Sequence, residues 1–243
     1  MRTCFTALGF AGASVLSTAA FAGYSTGFEA SQGYVQGSIV GQNGWTALTG
    51  SAQYDVNDGV NAGNGSANAL RVTQTSFPNN GGLLRSPLVT GSTHMSIDVR
   101  VDDNQGAGYS IVGTSEPAST QTFRVKFEYD GLIYYQVGAS LIPTITWSPN
   151  TYKTLDVLIT GSTIEYRYGG SLFATQTTFN AGGSTFDQVK FTHSNDQDLG
   201  FGSFSGGGNP AACYFDNLTI VPAPGTGVLL AISGLVVARR RRS

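Results

Sequence analysis

The residues able to do chemistry in this 243-residue sequence are few. Histidine occurs at His94 and His193 only, and cysteine at Cys4 and Cys213 only. A Ser or Cys nucleophile needs a histidine and an orienting carboxylate. No Gly-x-Ser-x-Gly elbow occurs, and each histidine falls in a strand-like alternation that predicts a place on a strand surface. Glycosidic hydrolysis needs two carboxyl groups converging on one cleft. Glu128 and Asp130 are near in sequence, but Asp130-Gly131 is a turn, and no strand carries alternating acids of the Glu-x-Asp-x-Glu kind. The expectation is therefore a body without catalysis, the alternative being a secreted carbohydrate-active enzyme, a glycosidase or lyase. No His/Cys cluster suits a transition metal. Asp55-x-Asn57-Asp58-Gly59 begins like a calcium loop, yet Val60 and Ser66 stand where an EF-hand needs Gly and Glu, so a plain turn-rich loop is expected.

The elements that must position these residues are strands. Glycine contributes 33 residues and charged side chains only 12%, which suits short strands and tight turns. Met95, Ile97, Val99 and Val101 alternate with polar residues, as do Phe123, Val125, Phe127 and Tyr129 with Arg124, Lys126 and Glu128. That period of two predicts strands with one apolar and one wet face. Asp130-Gly131 then turns the second into a strand over Leu132 to Val137. A meander follows from Tyr152 to Phe179 through the turns Gly161-Ser162 and Gly169-Gly170. Further strands are expected at Gly27 to Glu29, Gln53 to Val56, Ala69 to Val72, Tyr109 to Val112, from Val189 and from Tyr214 to Ile220, with Trp45 filling core space. About ten to twelve strands with no helix must cover one another's apolar faces, which two stacked antiparallel sheets achieve. The body is expected to be an all-β, two-sheet antiparallel β-sandwich over residues 23–220.

Both ends differ from the body. Residues 1–22 pair Arg2 with an apolar stretch and end Ala20-Phe21-Ala22, the layout of a secretory signal peptide. Its removal would take Cys4, leaving Cys213 as a lone, buried thiol and excluding an internal disulfide. Residues 221–243 run from Pro222-Ala223-Pro224 through an apolar stretch, Gly225 to Ala238, into Arg239, Arg240, Arg241 and Arg242. As a helix those 14 residues would be about 21 Å long against roughly 30 Å of hydrocarbon, a span suited to transient membrane anchoring by a short C-terminal apolar helix. Of 13 basic residues, five lie in these two ends, leaving 8 against 15 acidic ones in the body. Such an acidic surface excludes nucleic acid as a partner.

The tail resembles the PEP-CTERM sorting domain, in a Pro-Ala-Pro variant with Ala223 in place of Glu. That resemblance implies the export machinery and an exosortase-like processing enzyme as partners, and a cell-surface or extracellular destination among matrix polysaccharides. The body resembles the concanavalin A-like (LamG-like) jelly rolls of bacterial surface proteins. The resemblance is carried by Gly27-Phe28-Glu29, Gly44-Trp45, the central hairpin, Tyr152 to Ile159, Ile164 to Gly170 and Phe215 to Ile220. It implies the sandwich fold; with the tail's resemblance and the missing catalytic residues, the expectation is an exported, exosortase-sorted surface or matrix protein, non-catalytic, with polysaccharide as a candidate ligand. A structural calcium ion between first and last strands would fall to Glu29 and Asp216, with a surface acid and a strand-edge polar pair as the plain alternative. For ligand binding the candidates are Tyr134, which outward alternation favours over Tyr166, and Asn195, Asp196 and Asp198 in the long loop after Ser194.

Overall fold

The computed structural model describes residues 23–49, 54–58, 65–73, 83–102, 108–128, 130–194 and 212–223. In chain order the strands are β1 (Tyr24–Thr26), β2 (Gly37–Ser38), β3 (Thr46–Thr49), β4 (Tyr54–Asp58), β5 (Asn68–Thr73), β6 (Leu83–Arg85), β7 (Ser92–Val101) and β8 (Gly108–Ser115). They continue with β9 (Thr120–Phe127), β10 (Leu132–Val137), β11 (Ser140–Thr146), β12 (Lys153–Thr160), β13 (Thr163–Tyr168), β14 (Ser171–Gln176), β15 (Gln188–Ser194) and β16 (Ala212–Pro222). A nine-stranded sheet is ordered β14-β13-β12-β7-β16-β5-β4-β2 with β1 also on β16, and a seven-stranded sheet β11-β10-β9-β8-β15-β6-β3. The neighbours pair antiparallel, so the expected two-sheet sandwich is what the chain forms.

The core lies between the sheets. Met95, Ile97, Val99 and Val101 of β7 point into it from the nine-stranded sheet; Phe123, Val125 and Phe127 of β9 and Phe191 of β15 meet them from the seven-stranded one. Aromatic pairs cross the gap, with ring centroids 4.7 Å apart for Phe191 and Phe215, 5.6 Å for Phe127 and Tyr168 and 5.3 Å for Tyr135 and Tyr166. Trp45 is fully buried against Phe191, and its indole N–H donates to the hydroxyls of Tyr34 (2.9 Å) and Tyr24 (3.0 Å). A buried indole needs such a partner. At Gly113 of β8 any side chain would collide with the Phe123 ring across the pair, so the ring packs flat over the backbone.

Among the described residues sixteen strands replace the ten to twelve expected. The strand expected at Gly27 to Glu29 lies earlier, at β1: Phe28 takes φ 59 and Glu29 caps a 3-10 turn at Ala30–Gln32 instead. β2, β3, β6 and β11 carry no readable alternation. β11 contains Pro143, which argues against a strand, but β11 is the edge of its sheet, where a missing N–H costs no ladder bond. Among the described residues no helix is long and apolar enough to cross a membrane. The expected signal peptide and the apolar segment from Gly225 to Ala238 lie outside the described residues.

Candidate functional site

Each sheet has an outer face, and the two are built differently. On the seven-stranded sheet the interior strand β9 turns Thr122, Arg124 and Lys126 outward, Glu128 follows, and β15 turns out Gln188, Lys190 and Thr192. Strand alternation makes this face, and the sequence predicts it wet. Instead Lys126 and Glu128 are 0% exposed, their ammonium and carboxylate 2.6 Å apart. Gly108 of β8 makes room for the pair, since a Cβ there would run into Lys126 Cε and come within 2.8 Å of Glu128 Oε1. Lys190 is 5% exposed and its Nζ lies 2.8 Å from Glu116 Oε1. Burial would raise the Glu116 pKa, but Lys190 and the hydroxyls of Ser119 and Thr114 outweigh it and hold the carboxyl below its usual range. Charges are taken out of water only at considerable cost, so two such pairs on a face outside the core mark it as more than a solvent boundary.

Beside Lys126, across the β9–β10 pair, stands Tyr134, 7% exposed. Its hydroxyl donates to Asp130 Oδ2 at 2.6 Å, while Asp130 Oδ1 accepts the Leu132 N–H at 2.9 Å. The turn aspartate thus shapes the hairpin and also orients the phenol. Chemically, this end of the sheet offers an ion-paired carboxylate, an ammonium and a phenol held by a second carboxylate. Glu116 belongs to the opposite end of β8. Its carboxylate is hydrogen-bonded by Thr114, six residue steps along β8 from Gly108 or about 20 Å at ~3.4 Å per residue, so Glu116 and Glu128 do not form a hydrolytic pair.

The outer face of the nine-stranded sheet gathers the remaining candidates. Asp98 and Asp216 stand directly opposite on β7 and β16, 5% and 0% exposed. Asp98 accepts from Thr154 Oγ1 (2.6 Å) and Asn217 Nδ2 (2.9 Å); Asp216 Oδ1 accepts the Asn217 N–H at 2.7 Å. A bulge after Asp216, with Asn217 at φ 49, makes this arrangement. Glu29 comes close: an ideal Cβ on Gly27 would lie 3.3 Å from Asn217 Oδ1, 3.5 Å from Asp216 Oδ1 and 3.8 Å from Glu29 Cγ. Glu29 Oε1 also accepts the N–H groups of Ala67 (2.8 Å) and Asn68 (3.2 Å). Elsewhere on this face Arg100 lies under the rings of Tyr214 and Tyr152, 5.5 and 6.0 Å from their centroids. Burial and then the Asp216 charge push the Tyr152 phenol above its usual range.

The histidines divide. His94 is half-exposed, 3.6 Å from Asp156, on a strand surface as expected. His193 points inward instead, 2% exposed beside the Tyr54 ring, and burial lowers its pKa to about 4. Strand β15 carries polar residues on both sides of its backbone, so period two alone misassigns its faces. Cys213 is a buried, unbridged thiol whose pKa is raised by burial and then by Asp102. Asn195, Asp196 and Asp198 lie outside the described residues, as do Pro224 and Arg239 to Arg242. Pro222 ends β16, and the Ala223 N–H donates to Gly91 O at 2.9 Å, so the expected sorting motif starts at the edge of the sandwich.

No family model matches this sequence, and neither does any curated protein. Solved structures do. A sialidase aligns over 84% of this chain with TM-score 0.62 and 15% identity; the chain spans only 19% of that protein. The Bacillus licheniformis β-glucanase aligns over 83% of this chain and 98% of its own, with TM-score 0.57 and 16% identity. An endo-β-1,4-glucuronan lyase from the fungus Trichoderma reesei aligns over 82% and 95%, with TM-score 0.54 and 11% identity. Identities this low establish a shared jelly-roll fold. They also overturn the expectation of a non-catalytic, non-enzyme body. That expectation rested on missing Glu-x-Asp-x-Glu acids, yet all three of these structures are enzymes by name and include a lyase as well as a glucanase.

Proposed function

We propose that this protein is an exported carbohydrate-active enzyme that breaks glycosidic bonds in a polysaccharide laid across the outer face of its seven-stranded sheet. The observation that carries this reading is the Lys126–Glu128 ion pair, fully buried on a face turned away from the core and flanked by the Tyr134–Asp130 pair. The jelly rolls of the glucanase and the glucuronan lyase support it by fold. In this reading the sugar reaches Glu128 once what covers the ion pair is displaced; Glu128 then takes the proton of an attacking water, Lys126 holds the carboxylate in place, and the Tyr134 hydroxyl gives the leaving oxygen a proton that is returned from Glu128. The test is cleavage of a glycan panel, followed both as new reducing ends and as ultraviolet-absorbing unsaturated products. Glu128→Gln should lower kcat/KM by about 10²-fold or more. Tyr134→Phe, which deletes one hydroxyl and leaves the ion pair intact, guards against a variant that merely unfolds. Failure to cleave any polysaccharide would overturn the reading.

Residues 1–22 as an export signal and 221–243 as a PEP-CTERM-like tail fit an enzyme delivered to extracellular polysaccharide, with the tail cut by an exosortase-like enzyme after transient membrane anchoring. Intact mass of secreted protein should then show both ends removed; a chain still ending in Ser243 would count against it.

A structural calcium ion belongs to the same reading. The Asp216 and Asn217 oxygens converge on Gly27 beside the Glu29 side chain, and hard carboxylate and amide oxygens are the donors calcium takes. Among the described residues no cluster of three or more His, Cys, Asp or Glu exists to hold a metal, so backbone and amide oxygens would complete the set. Calcium would tie the opening segment to β16. The melting temperature should fall on chelation and respond less in Asp216→Asn; a calcium response that survives in both Glu29→Ala and Asp216→Asn would remove the site.

A further inference from the structure

Across the middle of the seven-stranded sheet one register row of outward side chains runs perpendicular to the strands. Arg85 of β6 stands opposite Lys190 of β15, Lys190 opposite Val112 of β8, and Val112 opposite Arg124 of β9. Tyr135 of β10 is opposite Val125, so Gln136 falls beside Arg124 and ends the row. Three cations thus share one line, and Glu116, bonded to Lys190, sits off it. The two ends of the row are unsatisfied in a complementary way. Among the described residues Arg85 Nε is buried with no hydrogen-bond partner, Arg85 has no ion-pair partner, and Gln136 Oε1 is a buried acceptor with no donor. A buried donor or acceptor left unmade costs about 1–3 kcal/mol, and more when charged, so these atoms are placed for something that supplies an acceptor at one end and a donor at the other. Four strand steps of ~4.8 Å separate them by about 19 Å, the span of several sugar rings rather than of one small molecule.

We infer that the polysaccharide is a polyanion, a chain of uronic acids, and that Arg85 binds one of its carboxylates while Gln136 accepts a hydroxyl from a sugar farther along. This rests on the proposed function and specifies its substrate. The pairing follows from chemistry: a guanidinium makes a two-pronged contact to a carboxylate, which a neutral glucan does not offer. Arg124, whose Nε donates to Ser110 Oγ at 3.1 Å, and Lys190 extend the positive line between the two ends.

The experiment compares cleavage of polyglucuronate and polygalacturonate with that of a neutral β-glucan by the mature protein, and the same polymers are cast in native gels to read binding apart from cleavage. Expected are cleavage and gel retardation with a polyuronate, both weakening as salt screens the charges. In Arg85→Gln the KM for that polymer should rise roughly 10- to 100-fold, the loss of one charge-assisted contact, with kcat little changed. Arg85→Lys, which keeps the charge but not the fork, should fall between. Cleavage of the neutral glucan alone would overturn the polyanion inference and leave the proposed function standing. If no polymer is cleaved the proposed function falls, and the gels decide the inference: Arg85-dependent retardation by a polyuronate upholds it, and no retardation overturns it.

Discussion

The two outer faces of the sandwich arise from the same alternation and treat their ion pairs differently. On the nine-stranded sheet the pairs Arg71–Asp55, His94–Asp156 and Arg167–Glu165 keep roughly a quarter to two-fifths of each side chain exposed. On the seven-stranded sheet Lys126 and Glu128 are wholly covered and Lys190 nearly so. Exposed pairs are screened and contribute little, whereas a buried pair is a commitment whose breaking leaves an uncompensated charge. Asp98 and Asp216 are buried on the nine-stranded face too; what sets the seven-stranded face apart is a Lys–Glu pair with both of its partners buried, which is why the substrate is placed there.

The largest expected effect breaks that difference at its strongest point. Lys126→Ala, which strands the Glu128 carboxylate, should cost about 3–5 kcal/mol in chemical denaturation. Replacing both partners together, Lys126→Met with Glu128→Leu, should restore much of the stability while abolishing cleavage. A Lys126→Ala protein as stable as the parent would erase the contrast between the faces.

Next in size is a pH effect from the inward side of β15. His193 has its pKa lowered to about 4 by burial, so below the unfolded value of about 6.5 the unfolded chain binds a proton that the folded chain refuses. Stability should therefore be fully present above about pH 6.5 and fall as pH drops toward 4, by about 3 kcal/mol across that window. His193→Phe should flatten the slope.

The smallest effect sharpens the comparison from its weak side. Arg71→Gln, which removes a bidentate pair to Asp55 at 2.6 and 3.0 Å, should change stability by no more than about 1 kcal/mol, less in high salt. A loss as large as that at Lys126 would mean that exposure does not separate the two faces.

Much of the fold was legible because alternation is a local property. The strands β7, β9, β10, β12 and β13 could be read from residue order, and so could the Asp130-Gly131 turn, whose left-handed Gly131 has φ 84. The strands that escaped, β2, β3, β6 and β11, are two- to seven-residue segments held by neighbours rather than by their own pattern. The candidate site was half legible. Arg124, Lys126 and Glu128 are visible as a charged alternation, but in sequence a charged strand face looks the same whether water or protein covers it.

By itself the sequence determined an all-β chain, its central hairpin, Trp45 and Tyr166 as core residues, and the make-up of its two ends, because period, turn chemistry and side-chain volume act between near neighbours. Tertiary structure alone decided which charges are buried, that Arg85, Lys190, Arg124 and Gln136 share one row across five strands, and that Asp98 faces Asp216 from more than a hundred residues away. Register between strands distant in sequence sets those juxtapositions, and the cost of removing charge from water gives them their meaning.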